Sequence, residues 1–223
     1  NKYLSAISGG CMSTLGIIMV GAVFTILTNI SWQPYTDLLA STGLDQLFTG
    51  VQNVTTNLLA VYMAFAVGYR GATVFENKKY TLTSGFLSLF AYMLLVPLDT
   101  TTLADSGISF FNISYLGTKG VFVALLAGLI VSRLLALITE KNIVIKLPDS
   151  VPPAISDSFS AIIPYFFITL ICWGIRTLAG LNIPELVGQM LLPVLGAADN
   201  IFIYTLQQFL SALLWICGLH GDN

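Results

Sequence analysis

The chain has 223 residues, of which 56% are hydrophobic and only 9% charged, with a formal net charge of −2. A soluble domain carries about 25% charged residues to wet its surface, so nine basic and eleven acidic side chains leave most of this surface to lipid. The near-neutral balance gives no basic face for nucleic acid. The three cysteines, Cys11, Cys172 and Cys217, lack CxxC spacing and sit in apolar or small-residue surroundings, as packing residues do rather than metal ligands or disulfides.

A membrane helix needs about twenty residues without exposed charge, and charge-free stretches give the elements in chain order. Residues 3–36 hold no charge and centre on Leu15–Ile30; residues 46–69 follow, centred on Leu58–Tyr69. The third stretch is Tyr80–Leu98 and the fourth about Gly120–Thr139, where Arg133 lies near the end and can extend its guanidinium to the headgroups. The fifth is Ser158–Ile175 and the sixth Asn200–Gly221. Leu186–Ala198 is apolar but holds Pro193, and its thirteen residues cover only about 20 Å as helix. It is expected to lie flat at the interface or to re-enter. The expected fold is an all-α integral membrane protein with about six transmembrane helices plus one short interfacial or re-entrant helix.

Lys2, Arg70, Lys78, Lys79, Arg133, Lys141 and Lys146 fall on one side of these spans. Lys119 and Arg176 fall on the other, with Asp37, Asp45, Asp99, Asp105, Glu185 and Asp199. The basic bias predicts that both ends of the chain are cytoplasmic. Trp32, Tyr35, Tyr69, Tyr80, Tyr115 and Tyr165 are expected near span ends, where amphipathic rings suit the headgroup zone.

Between the fourth and fifth spans, "KLPDSVPPAISDSFSAIIP" (146–164) holds four of the eight prolines. Proline fixes φ and biases the preceding residue to extended geometry, so Lys146–Pro153 reads as a stiff non-helical connection. Ser156, Asp157 or Ser158 is the expected N-cap of the next helix. The segment reads either as a rigid linker or as a docking or gating loop. The lone histidine, His220, closes the sixth stretch in Gly-Leu-His-Gly. By its residues alone it reads as an interfacial side chain, a helix C-cap or a ligand-binding group.

Three segments carry a resemblance: "LPDSVPPAISDSFSAIIP", the Trp215, Gly218, Leu219, His220, Gly221 run, and the opening "YLSAISGGCMSTLGIIMVGAVFTIL". Together they resemble the membrane component, enzyme IIC, of the lactose/cellobiose group of the bacterial phosphoenolpyruvate-dependent sugar phosphotransferase system. The resemblance covers the whole chain. Members of that family are about twice as long, so this chain is expected to be the N-terminal half, cut just after the histidine motif.

The resemblance implies a multi-pass protein of the bacterial plasma membrane that carries a disaccharide of the cellobiose, diacetylchitobiose or lactose class. His220 would hydrogen-bond the sugar, with Gly221 and Asn223 as neighbouring contacts. Neutral imidazole offers one donor and one acceptor, which sugar hydroxyls require and an apolar span lacks. The family's glutamate partner, in an Asn-Glu-Pro motif, has no counterpart here, since Glu76, Glu140 and Glu185 all read as loop residues.

The resemblance further implies a scaffold and homodimerisation domain over 1–180, a connecting helix over 181–199, and the first helix of the transport domain over 200–223. Small residues of the first span (Gly9, Gly10, Gly16, Gly21, Ala22) suit close helix packing, within the chain or between copies. The phosphoryl donor would be a IIB partner on the cytoplasmic side, charged by IIA. No catalytic residue, metal or cofactor is expected in the chain itself. Two other readings are an ion-coupled secondary transporter, which would want a paired carboxylate or base buried in a span, and a non-transporting membrane scaffold.

Overall fold

The first helix, α1 (Lys2–Thr28), runs for 27 residues. The computed structural model describes residues 2–99, 110–111, 113–143, 145, 147–148, 151–196, 205 and 209. Polar side chains on α1 turn back on their own helix: Thr25 Oγ1 donates to the Gly21 carbonyl at 2.9 Å and Ser13 Oγ to the Gly9 carbonyl at 2.8 Å. That satisfies each hydroxyl without water, as an apolar surrounding demands.

Residues 31–50, expected as a plain connection, instead carry two short helices, α2 (Gln33–Thr42) and α3 (Leu44–Val54). Pro34 stands in the first turn of α2, and Gly43 separates the two at φ 73°, a left-handed value that glycine adopts without a Cβ penalty. α3 lies against α1 through Phe24 and Phe48, whose centroids are 5.3 Å apart. Gln52 Nε2 also donates to the Phe24 carbonyl at 3.1 Å and to Thr28 Oγ1 at 2.7 Å. The predicted second span is therefore broken at Thr55 (φ −108°, ψ −83°).

The remaining helices are α4 (Leu59–Val74), α5 (Thr81–Leu95), α6 (Ile113–Leu116), α7 (Val121–Glu140), α8 (Pro153–Trp173) and α9 (Ile183–Gly196). One minimal antiparallel pairing interrupts them, Leu98 with Phe111 and Asp99 with Phe110. Three described segments are long and apolar enough to cross a bilayer: Lys2–Thr28, Thr118–Glu140 and Phe159–Leu178. The sequence led us to expect six. α4 and α5 stop at 16 and 15 residues, about 24 and 22 Å. Each follows a 3₁₀ turn, Thr56–Leu58 and Lys78–Tyr80, that adds about 6 Å. Of the expected sixth span only Thr205 and Phe209 are described, both helical.

α4 is the axis of the bundle, with α1, α5 and α7 packed around it. Small residues permit the approach. Gly68 lies against Ser88 of α5, Gly71 against Ser132 of α7, and Gly10 of α1 and Gly128 of α7 both against Val67. Leu59, Met63, Tyr92, Val123 and Ala127 form one buried cluster; Leu87, Val131, Leu135, Ile168 and Cys172 form a second that joins α5, α7 and α8. Over their most apolar windows, 56% of α7 is buried against 17% of α1 and 22% of α8. α7 is thus an inner helix, while α1 and α8 present broad apolar faces outward.

α8 begins at Pro153 with Pro152 as its cap residue, so Ser156, Asp157 and Ser158 lie inside the helix rather than at its cap. A first-turn proline has no N–H to leave unpaired and its φ already suits the helix. Pro164, inside α8, removes one ladder bond. Tyr165, expected near a span end, sits within α8 with its ring 5.3 Å from that of Phe90.

Candidate functional site

The residues expected to bind sugar, His220, Gly221 and Asn223, lie outside the described residues. The described part shows the frame beside them, and its charges are sorted by end. α1 starts where α4 and α7 stop: Lys2 Nζ meets Glu76 Oε1 at 2.9 Å, and Asn77 Nδ2 donates to Thr139 Oγ1 at 3.0 Å. Gly9 faces the side chain of Arg70 at the same end. Lys2, Arg70, Lys78, Lys79, Arg133 and Lys141 thereby share one end of the bundle. Lys119 and Arg176 belong to the other, where α5 stops and α7 begins. For these residues the partition matches the one read from the sequence; Lys146 lies outside the described residues.

A groove of about 470 Å³ opens at the basic-rich end among α1, α4 and α7. Its walls carry Lys2, Tyr3, Phe75, Glu76, Asn77, Arg133, Thr139 and Glu140. Arg133 extends along the bundle toward that end, its guanidinium 5.6 Å from the Phe75 ring centroid and 3.8 Å from Glu140 Oε1. Tyr3 meets Phe75 edge to face at 5.3 Å. Glu76 holds a left-handed φ of 65°, which is uncommon outside glycine. The hydrogen bond from Lys2, and then its charge, hold the Glu76 carboxyl below the ordinary carboxylate range.

A second cavity of about 430 Å³ lies along α1, α4 and α5 and is lined chiefly by Ile17, Val61, Phe65, Ala66 and Leu89. It offers no ionic group, and the Tyr62 hydroxyl on its rim already donates to the Val54 carbonyl at 2.8 Å.

At the opposite end, Arg176 does something that the sequence reading missed. It sits in a π-helical turn, Gly174–Leu178, and its Nη1 donates to the carbonyls of Leu94 and Val96 at 3.2 and 3.1 Å. These carbonyls end α5 and lack partners within their own helix. A lone arginine just beyond an apolar stretch was the available signal. Nearby, the Tyr92 hydroxyl donates to the Tyr115 carbonyl, fixing α5 to the short α6. Beyond the π turn, Gly180 (φ 61°) reverses the chain and Asn182 Oδ1 accepts from the Glu185 N–H at 3.3 Å, starting α9. The start of α9 packs on the core through Ile183 and Val187, one turn apart.

Among the described residues no cluster of His, Cys, Asp or Glu could hold a metal. Cys11 and Cys172 are free thiols, and Cys172 Sγ faces the Ala91 carbonyl at 3.8 Å. Neither has the basic neighbour that activates a thiolate.

The chain matches the family model "Phosphotransferase system, EIIC" over residues 8–223. It is 34% identical over 242 residues to a permease IIC component of Bacillus subtilis, YwbA, covering 100% of this chain and 53% of that protein. The lichenan permease IIC component of the same organism is 30% identical over 236 residues, covering 100% of this chain and 52% of the relative. Among solved structures, ChbC, the IIC component of the N,N'-diacetylchitobiose-specific phosphotransferase system, aligns with a TM-score of 0.80 at 26% identity, over 99% of this chain and 54% of that one. The chain thus spans about half the length of the curated relatives it matches. A family match over nearly its whole length, with the same arrangement of helices in a solved IIC component, places this chain in the phosphotransferase system EIIC family of membrane components.

Proposed function

We propose that this chain is part of the sugar-permease component of a phosphotransferase system. A disaccharide of the cellobiose, diacetylchitobiose or lactose class would bind in the membrane, cross it, and be phosphorylated by a IIB partner on the cytoplasmic side. Phosphorylation adds charge that keeps the sugar from returning. The observation that carries the reading is the family match over residues 8–223 together with the 0.80 TM-score to ChbC. The relatives' own specificities, lichenan and N,N'-diacetylchitobiose, support a β-glycan-like class of substrate.

In this reading the chain crosses the bacterial plasma membrane six times with both ends cytoplasmic. α4 and α5 count as spans because their preceding turns bring each to about 28–30 Å, the thickness of the hydrocarbon layer. Residues 1–180 are the scaffold, 181–199 the interfacial connection, and 200–223 the first transport-domain helix. Homodimerisation through α1 is supported by its outward stripe of Met12, Met19, Val23 and Ile26, and by Gly16, whose side-chain position meets no other described element within 4 Å.

The sugar contact is assigned to His220, assisted by Gly221 and Asn223. The test is equilibrium binding of cellobiose, diacetylchitobiose and lactose to the complete permease, before and after His220→Ala. Loss of a hydrogen bond to a sugar hydroxyl should weaken the preferred sugar about tenfold or more. Unchanged affinity overturns the histidine assignment. Failure of all three sugars to bind the unaltered protein overturns the substrate class.

A further inference from the structure

We infer that the groove among the ends of α1, α4 and α7 is a binding site for a phospholipid headgroup carrying both a phosphate and a primary ammonium, as phosphatidylethanolamine does. The groove lies where two membrane-length segments meet the water boundary, Lys2 opening one and Glu140 closing the other. A headgroup therefore reaches it without leaving the leaflet. Its volume, about 470 Å³, accommodates a headgroup and glycerol.

The charges decide the chemistry. Two cations, Lys2 and Arg133, and two anions, Glu76 and Glu140, line one concavity. A purely anionic headgroup would meet two carboxylates, and a purely cationic ligand would meet an ammonium and a guanidinium. Only a zwitterion matches both signs. Lys2 and Glu76 already form a close pair at 2.9 Å. Arg133 and Glu140 stand 3.8 Å apart, beyond hydrogen-bond length, and 41% and 59% of their side chains is exposed.

This open pair is the one to be bridged. The guanidinium fork donates to a phosphate in the geometry it favours, while the ammonium donates to Glu140. A choline headgroup has the same net charge but no N–H to offer that carboxylate. The Phe75 ring under the Arg133 guanidinium and the Tyr3 ring set edge to face against it give an apolar side for the glycerol end. The site differs from the sugar site assigned to His220, so either assignment can fail while the other stands.

Native mass spectrometry of the full chain, released from bilayers with equal parts phosphatidylethanolamine, phosphatidylcholine and phosphatidylglycerol, tests it. Phosphatidylethanolamine should be retained about fivefold over phosphatidylcholine, the factor that one charge-assisted hydrogen bond at a part-exposed site supplies. A series of mono- and dimethylated ethanolamine lipids should lose the preference stepwise on the unaltered protein, so the test does not depend on any variant folding. Glu140→Gln and Arg133→Gln should each abolish it, and Lys119→Gln, at the opposite end, should not. Competition by soluble glycerophosphoethanolamine at millimolar concentration without lipid retention would reassign the site to a free zwitterion and overturn the lipid source. Equal retention of ethanolamine and choline lipids, or preference for phosphatidylglycerol, overturns the proposal.

Discussion

Replacing Gly68 with alanine tests whether close contact of α4 and α5 holds this bundle together. A methyl at Gly68 would lie 2.8 Å from the Ser84 carbonyl oxygen and 2.5 Å from Ser88 Cβ, distances real Cβ atoms do not reach. Because one obstacle is backbone, a rotamer change at Ser88 cannot relieve it, and the helices must part. Overpacking of this kind costs about 1–3 kcal/mol. Parting also stretches the bond from Ser84 Oγ to the Gly68 carbonyl, 2.7 Å long, worth about 0.6 kcal/mol in a membrane bundle. Against this stands up to about 1 kcal/mol of helix propensity gained by alanine. The balance is a loss of about 1–3 kcal/mol. Gly50→Ala, inside α3 with no described neighbour within 4 Å of its side-chain position, should keep the propensity gain and lose nothing. Reversible unfolding in mixed micelles with increasing dodecyl sulfate, followed by circular dichroism, measures both. Ser88→Gly should partly rescue Gly68→Ala; its own cost is about 0.5 kcal/mol of helix propensity, since among the described residues the buried Ser88 Oγ has no hydrogen-bond partner to lose. If Gly68→Ala is as stable as Gly50→Ala, the packing argument is wrong.

Two further expectations follow from the ends of the bundle. A carboxylate whose folded pKa is depressed contributes stability above its unfolded pKa, about 4.3 for Glu, and loses it as pH falls through the lower folded value. Glu76 is such a group, so Lys2→Gln should return its titration, followed by NMR of labelled glutamate, upward to the ordinary range; an unmoved titration refutes the pair. At the far end, Arg176→Gln removes two donors from the Leu94 and Val96 carbonyls and should destabilise by about 1–3 kcal/mol. Hydrogen exchange should quicken in the last turn of α5, with part of the loss restored in Arg176→Lys, and unchanged exchange would show that the cap is idle.

Hydropathy made the bilayer and the apolar cores of α1, α7 and α8 legible, because burial in lipid is a property of composition. It was blind to breaks. Gln33–Val54 looked like a connection joined to a span, yet Pro34 and Gly43 mark two helices there, as turn chemistry would have indicated. Thr55 ends α3 without any change in polarity, its Oγ1 returning to the Val51 carbonyl at 2.7 Å. The serines after Pro153 were weighed as caps, but a proline already placed for the first helical turn starts the helix earlier. The sorting of basic residues by end was readable and agrees with the fold. The pairing of Arg133 with Glu140 and Phe75 was only half readable: the first is nearly two turns apart on one helix face, but the second depends on how α4 meets α7. His220 was legible only by likeness to a family.

The π turn at Gly174–Leu178 has a mechanical meaning. The ladder widens over Gly174–Leu178 and the chain then turns left-handed at Gly180, so the regular bonding of α8 does not run on into α9. Arg176 holds this interruption against the tip of α5 through the Leu94 and Val96 carbonyls, so the turn leading to α9 is anchored by one side chain rather than by a continuous ladder.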